Sequence, residues 1–124
     1  MIVKLSNRKR AIKERADKLA ENRDKWIARN SYFYNDDYNY MNFLVNDGQR
    51  VLELGCGTGQ LLNALKPSYG VGVDLSANMV DIAQKNYPNL EFIQGDLEDK
   101  HLISSLQGPF DFIILSDTIG YLDD

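Results

Sequence analysis

The sequence predicts an α/β fold built on a doubly wound parallel sheet, with helices leading into it from the amino terminus. From residue 49 onward, short aliphatic or β-branched runs alternate with helical stretches. Strands spaced this way need crossover connections, which are right-handed and cover both faces of a parallel sheet with helices. A glycine-rich turn separates the first of these strands from the helix that follows. Ahead of them, residues 9–29 contain no Gly or Pro and are rich in strong helix formers.

In residues 9–29 the apolar positions Ile12, Ala16, Leu19 and Ala20 recur at three-to-four spacing before Trp26 and Ile27, giving one amphipathic helix with a narrow apolar face. Glu14/Lys18 and Glu21/Lys25 sit four apart with the acid first, the better order for support along an exposed face. The charged side of this helix therefore reads as solvated. A tyrosine-rich stretch follows, in which Asn35 or Asp36 is placed to cap a second helix carrying Tyr40, Phe43 and Leu44. Asn46, Asp47 and Gly48 close it with turn chemistry.

Strands are then expected at residues 51–54, 70–74, 90–94 and 110–115, and helices at 60–65, at 77–86 with Ser76 as cap, and at 98–106. The continuous apolar run at 112–115 predicts a strand buried on both sides. The division expected is a helical segment over 1–48 and a sheet-bearing unit over 49–124.

Composition sets outer limits. A chain of 124 residues that is 44% hydrophobic and 26% charged is globular and at most one domain. Its longest apolar run falls far short of the roughly 20 residues that cross a bilayer, and its start lacks the layout of a secretory signal. Cytoplasm is the expected location. One cysteine, Cys56, and one histidine, His101, exclude an internal disulfide and a zinc ligand set. Residues 1–50 carry 11 Lys/Arg against 7 Asp/Glu, or +4, and residues 51–124 carry 3 against 11, or −8. That split disfavours a nucleic-acid module.

The chemistry concentrates in Glu53-Leu54-Gly55-Cys56-Gly57-Thr58-Gly59. Lacking Cβ atoms, Gly55 and Gly57 let a ligand pack against the main chain, and Gly59 permits close helix-to-strand contact. A dinucleotide fingerprint would need its third glycine at position 60, where Gln60 stands, so an NAD-type oxidoreductase is a weakened alternative. Glu53, two residues before the first glycine, suits a cationic or amino-bearing ligand better than a diphosphate.

The segment VLELGCGTGQLL resembles motif I of the class I S-adenosylmethionine-dependent methyltransferases, and later segments match that family in order. The resemblance implies a Rossmann-like sheet, S-adenosylmethionine as cofactor and S-adenosylhomocysteine as product. It implies that Gly55, Cys56, Gly57, Thr58 and Gly59 approach the cofactor's amino-acid end with Glu53 acting indirectly, and that Asp74, followed by Leu75, accepts both ribose hydroxyls. Gly95, Asp96 and Leu97 resemble the segment that receives the adenine, with Met79 on the ring's other face. Ser116 and Asp117 resemble the motif IV position beside the methyl group, and Asp117 is the candidate base. The stretch around Tyr34 resembles a region before motif I whose tyrosines lie over the cofactor, making Tyr34 the aromatic contact of choice.

Two departures from the family shape the expectation. The family sheet has seven strands, whereas four are legible here, so the chain reads as the cofactor-binding half, truncated after the fourth strand, with the missing strands supplied by the rest of a longer chain. Ser116-Asp117-Thr118-Ile119 also lacks the Asp/Asn-Pro-Pro-aromatic run of members that methylate adenine or glutamine nitrogens. Transfer to a hydroxyl, a carboxylate or an aliphatic amine stays open, and the acceptor expected is a small molecule or a saccharide- or lipid-linked substrate. The rival reading is a non-catalytic S-adenosylmethionine-binding or regulatory module.

Overall fold

Helix α1 spans Asn7–Arg29 and α2 spans Ser31–Leu44 in the computed structural model, which describes residues 4–115. The Ser6 hydroxyl opens α1 by accepting from the Lys9 amide at 3.1 Å. At its other end the Asn30 amide donates to the carbonyls of Trp26 and Ile27, and the Asn30 side chain donates to Trp26 O at 2.9 Å. Asn30 O then accepts from the Tyr34 amide at 3.2 Å, so α2 resumes after a single-residue break. Asn35 and Asp36 consequently lie inside α2 and cap nothing, because Asn30 already closes one helix and opens the next.

The remaining elements alternate as expected: β1 (Arg50–Leu54), α3 (Gln60–Ala64), β2 (Tyr69–Asp74), α4 (Ala77–Asn86), β3 (Glu91–Gln94), α5 (Lys100–Ser105) and β4 (Phe112–Leu115). All pairings are parallel and the strand order is β3-β2-β1-β4, so the winding reverses at β1. In open sheets of this kind ligands bind outside the carboxyl ends of the strands at such a reversal. In the register, Glu53 lies between Gly72 and Ile114, and Asp74 lies beside Gln94.

Strand alternation divides the core into two layers. On one face Val51 and Phe92 pack with Leu61, Leu62 and Leu65 around α3 and with Val80 and Ala83 of α4, and Tyr38 and Met41 of α2 close the edge. On the other face Leu52, Val71 and Val73 pack against Leu102 and Leu106 beside α5. Strand β4 departs from its expected burial: only Ile114 is buried, and Ile113 is 59% exposed. The covering helices lie over β2 and β3, and among the described residues β4 pairs only with β1. No described helix is long and apolar enough to cross a membrane.

Two glycines with similar backbone angles separate conformational strain from packing. Gly48 has φ +81° and open space where a Cβ would stand. Gly59 has φ +85°, and its Cβ would lie 2.7 Å from Phe92 Cζ on β3 and 3.3 Å from Ala83 Cβ on α4. Gly48→Ala is expected to cost about 1–2 kcal/mol from the left-handed backbone alone. Gly59→Ala is expected to cost about 1–3 kcal/mol more through overpacking. Urea denaturation of both variants checks this, and equal losses would show that close helix-to-strand contact is not what position 59 requires.

Candidate functional site

At the carboxyl end of β1 the chain turns through three positive φ angles, at Gly55 (83°), Gly57 (55°) and Gly59 (85°). The amides of Gly55 and Cys56 both donate to Val73 O on β2, at 2.7 and 3.1 Å. Asp74, the last residue of β2, completes the attachment: its Oδ2 accepts from the Gly57 amide at 2.8 Å and its Oδ1 from the Ser76 amide at 2.9 Å. Ser76 in turn caps α4 by accepting from the Met79 amide at 3.2 Å. Burial raises the Asp74 carboxyl above its ordinary value, and the two amide donors and the Arg23 charge offset this only in part.

Glu53 points from β1 into the same space and is 3% exposed. Burial and then the Asp74 charge push its carboxyl up to about 8, against a backbone hydrogen bond from Leu62 and the Arg23 charge. Its Oε1 has no hydrogen-bond partner, and neither has the buried Thr58 hydroxyl. A buried polar atom left this way costs free energy comparable to a lost hydrogen bond. The Cys56 thiol lies against Gly72, where an added Cβ would come within 2.8 Å of its Sγ, and burial holds it well above the ordinary thiol value. It is a packing residue and not a nucleophile.

Helices α1 and α2 roof this edge of the sheet and enclose a cavity of about 800 Å³. Glu14, Lys18, Glu21 and Lys25 form an exposed charged side of α1, as the sequence suggests, but other charges of the helix turn inward and carry its attachment. Lys9 is 5% exposed and its ammonium reaches Asp96 at 2.7 and 2.9 Å and Glu98 at 2.7 Å. Burial would lower its pKa, but the hydrogen bonds and charges of Asp96 and Glu98 outweigh burial and hold it raised. Asp17 accepts from the Ser76 hydroxyl and from the Asn78 amide, and Asp24 accepts from Gln60 at 3.0 Å and Asn86 at 2.9 Å.

Most residues singled out from the sequence converge here. Glu53, Gly55, Cys56, Gly57 and Thr58 form the floor. Asp74, Leu75 and Met79 line one side, Asp96 and Leu97 another, and Tyr34 the roof. Gly59 and Gly95 stand behind the wall: Gly59 is the packing point against Phe92, and the space beside Gly95 is filled by Leu102. Ser116 and Asp117 lie outside the described residues. The aromatic stretch divides its roles, since Tyr34 and Tyr38 line the cavity, with Tyr38 raised to about 12 mainly by burial, whereas Tyr32 is 90% exposed. The structure adds Lys9, Ile12, Arg15 and Arg23 from α1. A signal for two of them was present: Lys9 and Arg23 continue the stripe of Ile12, Ala16 and Leu19 at the same three-to-four spacing, placing cations on the inward face.

A sequence model described as a methyltransferase domain matches residues 51–124. The chain belongs to the class I S-adenosylmethionine-dependent methyltransferase family. Among the methyltransferases it matches is a malonyl-[acyl-carrier protein] O-methyltransferase of Halalkalibacterium halodurans, 33% identical over 85 residues that span 63% of this chain and 31% of that one. The chain spans about a third of the length of the curated relatives it matches. A solved methyltransferase from Mesorhizobium loti superposes with a TM-score of 0.53 at 30% identity, over 64% of this chain and 38% of the other. The magnesium protoporphyrin IX methyltransferase of Synechocystis PCC 6803, solved with bound S-adenosylmethionine, shares the fold: its TM-score is 0.66 at 18% identity, over 98% of this chain and 67% of that one.

Glu53 gives this methyltransferase domain a stability signature. The folded state keeps the Glu53 proton up to about pH 8, whereas the unfolded chain loses it near 4.5. Between those values the folded state binds more protons, so stability falls as pH rises. Glu53→Gln is expected to flatten this slope and to leave the variant more stable than the wild type at pH 8. Denaturant midpoints at pH 5, 6.5 and 8 check this, and parallel profiles would show that Glu53 does not titrate in that window.

Proposed function

We propose that this chain holds S-adenosylmethionine in the cavity between α1 and the carboxyl ends of β1, β2 and β3, and that the protein it belongs to transfers a methyl group. The supporting observation is Glu53: a buried carboxyl with one unpartnered oxygen, beside a glycine loop, in the wall of a cavity of about 800 Å³. An ammonium group completes such a site, because it supplies the missing donor and returns the carboxyl to its charged form.

The other walls fit the same ligand. Each oxygen of Asp74 spends one lone pair on an amide and keeps one for a ribose hydroxyl. Met79, Leu75 and Leu97 supply apolar surface for a purine ring, and Asp96 supplies an acceptor that Lys9 also engages. When bound, S-adenosylmethionine supplies an electrophilic methyl group on a sulfonium. The chain's own contribution is to fix the ligand's two ends and, through α1 and α2, to keep water off them. In this reading residues 1–48 are the cover and residues 49–124 the cofactor-binding half. The acceptor proposed is a small molecule or a saccharide- or lipid-linked substrate, with oxygen favoured by the O-methyltransferase names among the relatives.

Titration calorimetry with S-adenosylmethionine, S-adenosylhomocysteine and NAD tests this. Selective binding of the first two is expected, and Asp74→Ala should weaken it about 10- to 100-fold, the worth of charge-assisted hydrogen bonds of about 1.5–3 kcal/mol. Ionisation of Glu53 against the ammonium should release protons at pH 7, seen as a binding enthalpy that depends on the buffer and disappears in Glu53→Gln. A folded protein that binds neither S-adenosylmethionine nor S-adenosylhomocysteine would end this reading.

A further inference from the structure

We infer that Arg23 on α1 binds the ligand's α-carboxylate, so that Arg23 and Glu53 together read the two opposite charges of an amino-acid end. The inference rests on the cofactor reading above and deepens it by assigning the carboxylate. Among the described residues three cations line the cavity: Lys9, Arg15 and Arg23. Lys9 is committed to Asp96 and Glu98, and Arg15 is exposed. Arg23 is half-buried, and among the described residues it makes no hydrogen bond or ion pair. Its five N–H donors are therefore unspent, in the fork geometry that matches a carboxylate at two points.

The Arg23 Nε and Nη2 lie 3.5 and 3.9 Å from where a Cβ on Gly57 would stand, so the guanidinium hangs over the glycine loop. It is also close enough to Glu53 and Asp74 to draw both carboxyls downward. The floor thus presents a buried carboxyl with a vacant acceptor and the roof presents a fork of vacant donors. An α-amino acid carries its ammonium and carboxylate on one carbon and satisfies both walls at once. A ligand with only the ammonium leaves Arg23 unpaired. One consequence is that α1 belongs to the binding site and selects for the amino-acid end, while β2 and β3 select for the nucleoside.

The test is a double comparison by calorimetry: wild type and Arg23→Gln, each with S-adenosylhomocysteine and with decarboxylated S-adenosylmethionine, which keeps its ammonium and lacks the carboxylate. Arg23→Gln should weaken S-adenosylhomocysteine about 10- to 100-fold, as loss of a charge-assisted pair does, and leave the decarboxylated ligand unchanged or tighter. Arg23→Lys, which keeps the charge without the fork, should fall between and covers the case in which the glutamine variant does not fold. Equal losses for both ligands, or no loss for S-adenosylhomocysteine, would overturn the assignment. If the folded wild type binds neither ligand, the cofactor reading itself fails, an outcome distinct from a wild type that binds and a variant that binds equally well.

Discussion

The carboxylate at the end of β2 is the point on which the rest is hung. Asp74 accepts one amide from the glycine loop and one from Ser76, so a single side chain fixes the exit of β1, the exit of β2 and the start of α4. Ser76 passes the restraint on, capping α4 through its hydroxyl oxygen and donating the hydroxyl proton to Asp17 on α1. Loop, helix and roof are thus joined in one hydrogen-bonded chain. A loop with three left-handed glycines has little conformation of its own. It becomes a defined surface because the neighbouring strand ends in an acceptor at the right height.

The same arrangement explains the electrostatics of the floor. Glu53 and Asp74 come from adjacent strands and are both withdrawn from water, and the Asp74 charge makes Glu53 harder still to ionise. Asp74 has two amide donors to set against that cost, and Glu53 has one oxygen with none. Natural folds seldom leave a buried acceptor unfilled without a functional reason. The imbalance between two neighbouring carboxyls therefore says more about a ligand than either carboxyl does alone.

How much was legible in the sequence follows from which physical signals are local. The alternation of β1 to β4 with α3 to α5 was legible because strand and helix periods are written in consecutive residues, and Ser76 and Asp74 sit where the period changes. The residues lining the cavity floor and sides were legible as positions at strand ends. What α1 does was legible only in part: the spacing puts Lys9 on the inward face, but Lys9, Asp17 and Asp24 bond to residues 87, 59 and 62 positions away, and no local pattern names partners so distant. The start of α2 was missed for a related reason, since Asn30 serves as an end and a beginning at once and leaves no gap for a second cap. Strand β4 misled because an apolar run reads as buried whichever neighbours it has.

The manner in which α1 is fastened differs from that of the sheet. Its buried residues are Lys9, Ala20 and Ile27, and its long-range ties are ion pairs and hydrogen bonds spread along the helix. Protein partners for its charged groups therefore matter to how it is fastened as well as the burial of Ala20 and Ile27. The Lys9 pairs with Asp96 and Glu98 are largely withdrawn from water, so salt screens them far less than it screens exposed pairs. The roof and the sheet are thus held by different forces, the one fastened mainly by charge and hydrogen bond and the other by apolar burial.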